Sequence, residues 1–271
     1  MHRVNLMRPA DLKQPHITVS NLTMGYGDFI LMRDLDFTVF RGDVFAIMGG
    51  SGCGKSTLMR ILMGLKAPHT GQVQYGDIDF WMLGEAERER MMRHFGILYQ
   101  SGALWSSMTL AENVGLPLDL HTDLDRDEIV QIVRFKLSLV GLGGFEDFYP
   151  SEISGGMRKR AGLARAIALD PEVLFFDEPS AGLDPVSAKK IDDLIIEINQ
   201  SLGATVIIVT HELPSIFTIA NNAVFLDTTT RTIGGNGDPK QMLETSDNPD
   251  VIRFLTRGEA TGNSNAKDVT P

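Results

Sequence analysis

The 271-residue sequence holds a single cysteine, Cys53, so no disulfide can form within the chain. Nowhere is there an uninterrupted apolar run of the ~18 residues that a membrane-spanning helix needs, so a transport role would have to borrow a membrane partner. No charged-then-apolar signal segment follows Met1, and with one cysteine the expected compartment is the cytoplasm. Basic residues are also short: 25 Lys and Arg stand against 35 Asp and Glu, a formal net charge of -10. That balance excludes a broad electrostatic grip on nucleic acid, which depends on a basic stripe that displaces counterions from phosphates. Any anion site must be local. Internal repeats and heptad arrays are absent, and the one biased stretch, Gly258 to Pro271, is expected to be disordered.

What remains is ordinary globular material, 43% hydrophobic and 22% charged, in a chain long enough to bury a sizeable core. That size favours an enzyme over a peptide-binding module. Ile17 to Leu22 and Leu35 to Phe40 alternate apolar and polar residues, which predicts antiparallel strands with one buried face. Val44 to Met48 is apolar without alternation and suits a strand covered on both faces. Leu58 to Leu65 reads as helix, Gln72 to Tyr75 as strand, Glu85 to Arg93 as an exposed helix and Phe95 to Tyr99 as strand. From Ser101 to about Arg165 the pattern is helical, which predicts an inserted helical subdomain; Asp127 to Leu139 has amphipathic spacing. Strand-like runs at Val173 to Phe176, Thr205 to Val209 and Ala223 to Leu226, with helix at Ser187 to Gln200, imply a parallel sheet. The expected fold class is therefore α/β.

Two motifs carry chemistry. Gly49, Gly50, Ser51, Gly52, Cys53, Gly54, Lys55, Ser56 and Thr57 follow a buried strand and open a helix, and Gly49, Gly54, Lys55 and Ser56 satisfy the phosphate-loop pattern. Glycines let backbone N–H groups turn towards one anion, and the helix adds the positive end of its dipole. Lys55 would reach the β- and γ-phosphates and the Ser56 hydroxyl would meet Mg²⁺. Cys53 is either small filler beside the helix start or a redox sensor. The second motif is Asp177-Glu178, at the carboxyl end of the run Val173 to Phe176. There Asp177 would support hydrated Mg²⁺ and Glu178 would polarise the attacking water. His211 follows the run Thr205 to Val209 and would sense the γ-phosphate.

Ile153-Ser154-Gly155-Gly156-Met157 resembles the signature motif of ABC ATPases, in the order that family keeps with a phosphate loop and an acidic pair. The resemblance covers roughly residues 17 to 257 and implies a P-loop core with a small antiparallel β-subdomain and the helical insertion. It divides the chain into an ATPase domain at 1–258, with the helical subdomain at about 101–165 and a C-terminal extension at about 245–258, and a tail at 259–271. It also implies a head-to-tail dimer that sandwiches two ATP molecules, with Ser154, Gly155, Gly156 and Asp184 reaching the partner's nucleotide. By the same likeness Tyr26 stacks on adenine, or simply packs; Gln100 serves both the metal and the γ-phosphate; and Ser180 to Asp184 form a dimer-contact loop. Met157 stands where many members have glutamine. The basic run Arg158, Lys159, Arg160 reads as a solvated helix face or as an offset to phosphate charge.

Within the family, Gln100-Ser101-Gly102-Ala103-Leu104-Trp105, the segments 108–114 and 116–118, and Asn248-Pro249-Asp250 resemble the ATPases of Mla-type systems. That implies a peripheral subunit on the cytoplasmic face of the inner membrane, working with a transmembrane permease, an MCE-domain lipid-binding protein and a small regulatory subunit, and with no nucleic acid partner. Its load would be phospholipid or another hydrophobic molecule. The alternatives are another ABC transporter motor, such as a metabolite importer's, or a non-transport ABC ATPase. Ala103, Leu104 and Trp105 would line a groove for a permease helix or belong to the subdomain core. Residues 248–258 would pack on the second subunit or cap their own domain.

Overall fold

A computed structural model describes residues 14–258; the expected disorder of 259–271 falls outside them. In chain order the strands are β1 (Pro15–Tyr26), β2 (Phe29–Phe40), β3 (Val44–Gly49), β4 (Thr70–Tyr75), β5 (Ile78–Asp79), β6 (Phe95–Leu98), β7 (Val173–Asp177), β8 (Thr205–Val209), β9 (Asn222–Asp227) and β10 (Thr232–Gly237). The helices are α1 (Lys55–Leu62), α2 (Glu85–Met92), α3 (Leu110–His121), α4 (Arg126–Leu139), α5 (Gly155–Ala166), α6 (Pro185–Leu202), α7 (Leu213–Ile219), α8 (Pro239–Thr245) and α9 (Pro249–Leu255).

The two kinds of hydrophobic pattern sort the strands into two sheets. The alternating strands form an antiparallel sheet in the order β2-β1-β4-β5, and the continuous apolar runs enter a six-stranded sheet in the order β10-β9-β3-β8-β7-β6. In that larger sheet β6, β7, β8, β3 and β9 are mutually parallel, and β10 pairs antiparallel with β9 at the edge. Because successive strand residues point to opposite faces, each central strand divides its apolar residues between two cores. Phe45, Ile47, Phe175, Ile207 and Val209 face α1 and the antiparallel sheet. Ala46, Met48, Leu174, Phe176 and Ile208 face the side covered by α3 to α7. Both faces are dry, which is why these runs do not alternate.

Three local departures have plain causes. Helix α1 begins at Lys55 because Gly54 takes a left-handed backbone (φ 101), and it is over before Gly64 (φ 80). Residues 101–109 are loop rather than helix: Gly102 (φ 78) and Ala103 (φ 47) turn the chain, and a capping box at Thr109 and Glu112 starts α3. Strand β10, with the sequence Thr-Ile-Gly-Gly-Asn-Gly, carries too little apolar signal to be read as a strand; pairing with β9 forms it. Within the chain, residues 248–255 dock on their own domain. Val251 and Leu255 are buried in its core, Phe254 lies 5.4 Å from Phe225, and Asn248 Nδ2 donates to Asp227 at 3.2 Å.

Candidate functional site

Parallel pairing puts the carboxyl ends of β3, β6, β7 and β8 along one edge of the large sheet, and the registers Ile47–Val209, Asp177–Val209 and Leu98–Phe176 keep them level. Each strand therefore delivers its next residues to the same crevice, where α/β sheets bind ligands. Strand β3 delivers the loop 49–57, β7 delivers Asp177 and Glu178, β8 delivers His211, and β6 leads to Gln100, which is exposed.

The loop has the backbone that anion binding asks for. Gly49 (φ 145), Gly52 (φ 76) and Gly54 (φ 101) all occupy conformations that L side chains rarely adopt. A Cβ at Gly49 would meet Cys53 Sγ at 2.6 Å and Leu226 O at 2.7 Å, so glycine is required there by space as well. Lys55 Nζ donates to Gly49 O at 2.9 Å and Gly50 O at 3.0 Å, which holds its ammonium over the loop. No acidic residue occupies the first turn of α1, so the positive end of its dipole is not offset. Gly50, Ser51, Gly52 and Ser56 are exposed, while Thr57 is buried and its hydroxyl pairs with Tyr26 OH at 3.1 Å. That bond ties Tyr26, half exposed and covered by Lys66 Nζ at 4.5 Å from its ring centroid, to the base of the loop. Cys53 is fully buried and burial pushes its thiol up, against the thiolate character that redox sensing needs.

Glu178 has the geometry of a poised acceptor. Its backbone is left-handed (φ 50), a region non-glycine residues seldom enter, and its N–H donates to Val209 O at 2.8 Å. One side-chain oxygen, Oε1, pairs with His211 Nδ1 at 2.8 Å; the other, Oε2, is buried with no hydrogen-bond partner among the described residues. Burial pushes the Asp177 carboxyl up, Glu178 adds to this, and Arg60 and Lys55 oppose it. Among the described residues no three His, Cys, Asp or Glu side chains form a metal cage. Mg²⁺ does not ask for such a cage, because it dehydrates reluctantly and is commonly held by one or two protein oxygens plus phosphates and water.

Other expected residues lie apart. The hydrogen bonds of Ser154, Gly155 and Gly156 do not reach the loop 49–57: Ser154 caps α5 through Met157 N, and Gly156 sits beside Leu183 and Ser187. Ser154 and Gly155 are exposed. Asp184 is also exposed; its Oδ1 accepts from Val186 N and Ser187 N, and hydrogen bonding, first from Ser187, holds its carboxyl below the usual range. The structure thus gathers the loop 49–57, the acidic pair and His211 at one sheet edge and leaves Ser154, Gly155 and Asp184 exposed.

The basic run is not a solvated face. Arg158 donates to Ile153 O, Arg160 to Val140 O and Gly141 O, and Lys159 is buried with its Nζ bonded to Glu178 O and Ala181 O. Sequence reasoning also passed over Arg165, which fixes the loop after Gln100 by donating to Gly102 O and Ala103 O. It missed the role of Asn113 as well, fully buried and bonded to backbone of Trp105, Met108 and Thr109. Only the mixture of a polar residue with apolar neighbours in α3 hinted at Asn113. In the same loop Leu104 packs on the core and Trp105 is 58% exposed.

Comparison with known proteins agrees with this geometry. The family model described as ABC transporter matches residues 32–181. The chain is similar to a probable ribonucleotide transport ATP-binding protein, mkl, of Mycobacterium tuberculosis, 42% identical over 239 residues that cover 88% of this chain and 66% of that one. The chain thus spans just under two thirds of the mycobacterial relative's length. It is also similar to the intermembrane phospholipid transport system ATP-binding protein MlaF of Haemophilus influenzae, 39% identical over 93% of this chain and 94% of that one. Among solved structures, cbiO1 from Clostridium perfringens, part of the ABC transporter complex cbiONQ, superposes with a TM-score of 0.79 at 27% identity, covering 90% and 96% of the two chains. A dimeric ATP-binding cassette in a post-hydrolysis state with ADP and Pi superposes with a TM-score of 0.74 at 27% identity over 82% and 98%.

Proposed function

This chain belongs to the ABC transporter family, and from that premise we propose that it is an ATP-hydrolysing subunit that works as a pair with a second copy and drives a membrane permease. The observation that carries the reading is the Glu178–His211 pair beside the Lys55 loop, with Glu178 Oε2 buried and unpartnered at the mouth of the sheet. A buried acceptor without a donor is costly unless something else supplies one, and a hydrolytic water would. Glu178 is then the water-polarising base, His211 orients it, and Lys55 with the loop amides holds the phosphates. Bound Mg²⁺ would supply charge neutralisation at the phosphates, held through Ser56, Gln100 and Asp177. Tyr26, half exposed, would offer its ring to the adenine.

The exposed Ser154, Gly155 and Asp184, with the half-buried Gly156, belong on this reading to the second copy's nucleotide, since within their own chain Ser154 and Asp184 bond to their own helix starts. Closure of the pair then follows from contacts that only the ATP-bound arrangement makes. The exposed Trp105, beside Gln100 and held by Asn113, is the contact for a cytoplasmic helix of the permease. Among the described residues no helix is long and apolar enough to cross a membrane, so attachment to the inner membrane would run through that permease. We assign residues 101–165 to the helical subdomain and 245–258 to the C-terminal extension of one ATPase domain.

For the load, the end-to-end correspondence with MlaF, at 94% of its length, favours phospholipid moved between membranes over the partial correspondence with mkl. An MCE-domain protein and a small regulatory subunit would complete such a system. Purification of the tagged full-length chain from detergent-solubilised membranes tests this. Co-purification of a permease and an MCE-domain protein is expected; a permease with a substrate-binding protein of importer type would refute the lipid assignment while leaving the ATPase intact.

A further inference from the structure

The Lys159 side chain crosses a boundary that the proposed mechanism needs to bridge. It springs from α5, whose first residues Gly155 and Gly156 are assigned above to the second copy's nucleotide, and it ends against the turn that follows Glu178. Its Nζ donates to Glu178 O at 3.2 Å and to Ala181 O at 2.6 Å. The same turn is closed by Ala181 N donating to Glu178 O at 3.3 Å. One buried ammonium therefore clamps both ends of the segment 178–181, with Glu178 at its start and Ser180 and Ala181 leading to Asp184.

That segment needs a clamp. Glu178 holds a left-handed backbone, which persists only where the surroundings over-determine it. Its N–H is fixed by Val209 O and its carboxylate by His211, so without Lys159 its carbonyl would keep only the long bond from Ala181 N. Lysine is an expensive residue to bury for a purely structural purpose. Burial pushes the Lys159 ammonium down while Glu178 pulls it up, so the two groups feel each other.

We propose that Lys159 is a positioning residue that locks the backbone of Glu178 and ties the aim of its carboxylate to the placement of α5 against the second copy. The proposal rests on Glu178 being the water-polarising base. Engagement of Ser154 and the α5 N-terminus by the partner's nucleotide would then be felt at Glu178 through one rigid link, so that hydrolysis follows closure.

The test uses the full-length chain purified with its membrane complex, with Lys159→Met, Lys159→Arg and Glu178→Gln made side by side. Lys159→Met keeps the aliphatic stem and removes the donors. It should lower kcat roughly 10- to 100-fold, the worth of a charge-assisted hydrogen bond that aims the base, with KM for ATP within about threefold. Amides of residues 178–184 should exchange with solvent at least ~10-fold faster, while those of β3 and β8 stay protected. Lys159→Arg, which restores cation and donors, should recover most of kcat and the protection. Should Lys159→Met fail to fold, Lys159→Gln carries the same comparison. A Lys159→Met or Lys159→Gln enzyme with kcat near wild type, or one whose protection is lost across the whole domain, overturns the proposal. Inactive Glu178→Gln beside active Lys159→Met overturns it alone; steady turnover by Glu178→Gln overturns the reading of Glu178 and this inference with it.

Discussion

Replacing Glu178 by glutamine changes one atom in a side chain whose two oxygens have different surroundings. The Oε1 position is met by His211 Nδ1 at 2.8 Å, and an amide oxygen there accepts the same bond. The Oε2 position is buried and has no partner among the described residues. An NH2 in its place exchanges one unsatisfied acceptor for one unsatisfied donor, so stability should move by no more than about 1 kcal/mol. Chemistry should move far more. A positioned general base contributes roughly 10²–10⁴ in rate, which corresponds to about 2.7–5.4 kcal/mol of barrier. Loss of negative charge beside the phosphates should also favour the ATP-bound closed pair. Steady-state phosphate release should therefore fall by at least about 100-fold, while sedimentation with ATP shows more dimer than wild type and the melting temperature stays within about 4 °C of wild type. Phosphate release within about tenfold of wild type would remove Glu178 from the role of base.

Acid sensitivity should be visible at the opposite end of the sheet. Glu172 is held down at about 2, first by His16, with burial opposing and Arg41 and His94 assisting. A folded pKa below the unfolded one contributes stability that is present above about pH 5 and lost as pH falls towards 2. More than half of the side chain is exposed, so screening limits the effect to about 1 kcal/mol or less. Glu172→Gln should thus lower the melting temperature at pH 7 by a few degrees, with the difference shrinking as pH falls below 5; a constant difference down to pH 3 would refute the cause. Packing makes a sharper demand at Gly162, where a Cβ would meet Gly102 O and Leu98 Cδ1, each at 2.9 Å. Gly162→Val should cost about 1–3 kcal/mol by overpacking, read as a lower denaturation midpoint, and should displace the loop after Gln100 enough to reduce turnover. Truncation before Asn248 strips Val251 and Leu255 from the core, so the melting temperature should drop even in the isolated monomer; loss of dimer with an unchanged monomer melt would contradict the packing seen for α9.

Local pattern alone was enough for the elements that bury one face or two: Ile17 to Leu22 alternates, Val44 to Met48 does not, and each ended in the sheet its pattern implied. The loop at 49–57 and the acids after Phe176 were legible for the same reason, since strand, turn residues and helix start are consecutive and their chemistry follows from spacing. Elements without such a signal were not. Strand β10 is half glycine and exists through its partner, and the short helices α7, α8 and α9 are stabilised by docking rather than by their own periodicity. Lys159, Arg165 and Asn113 show why site readings from sequence stop at the motifs: each acts on backbone atoms of a loop outside its own helix, near or distant in the chain, and a carbonyl leaves no mark in the amino-acid code. The sequence determined which residues are proposed to handle phosphate, because that chemistry is local. Tertiary structure alone decided how those residues are held and which of them meet within one chain, because that depends on where parallel strands end and which helix turns its first residues outward.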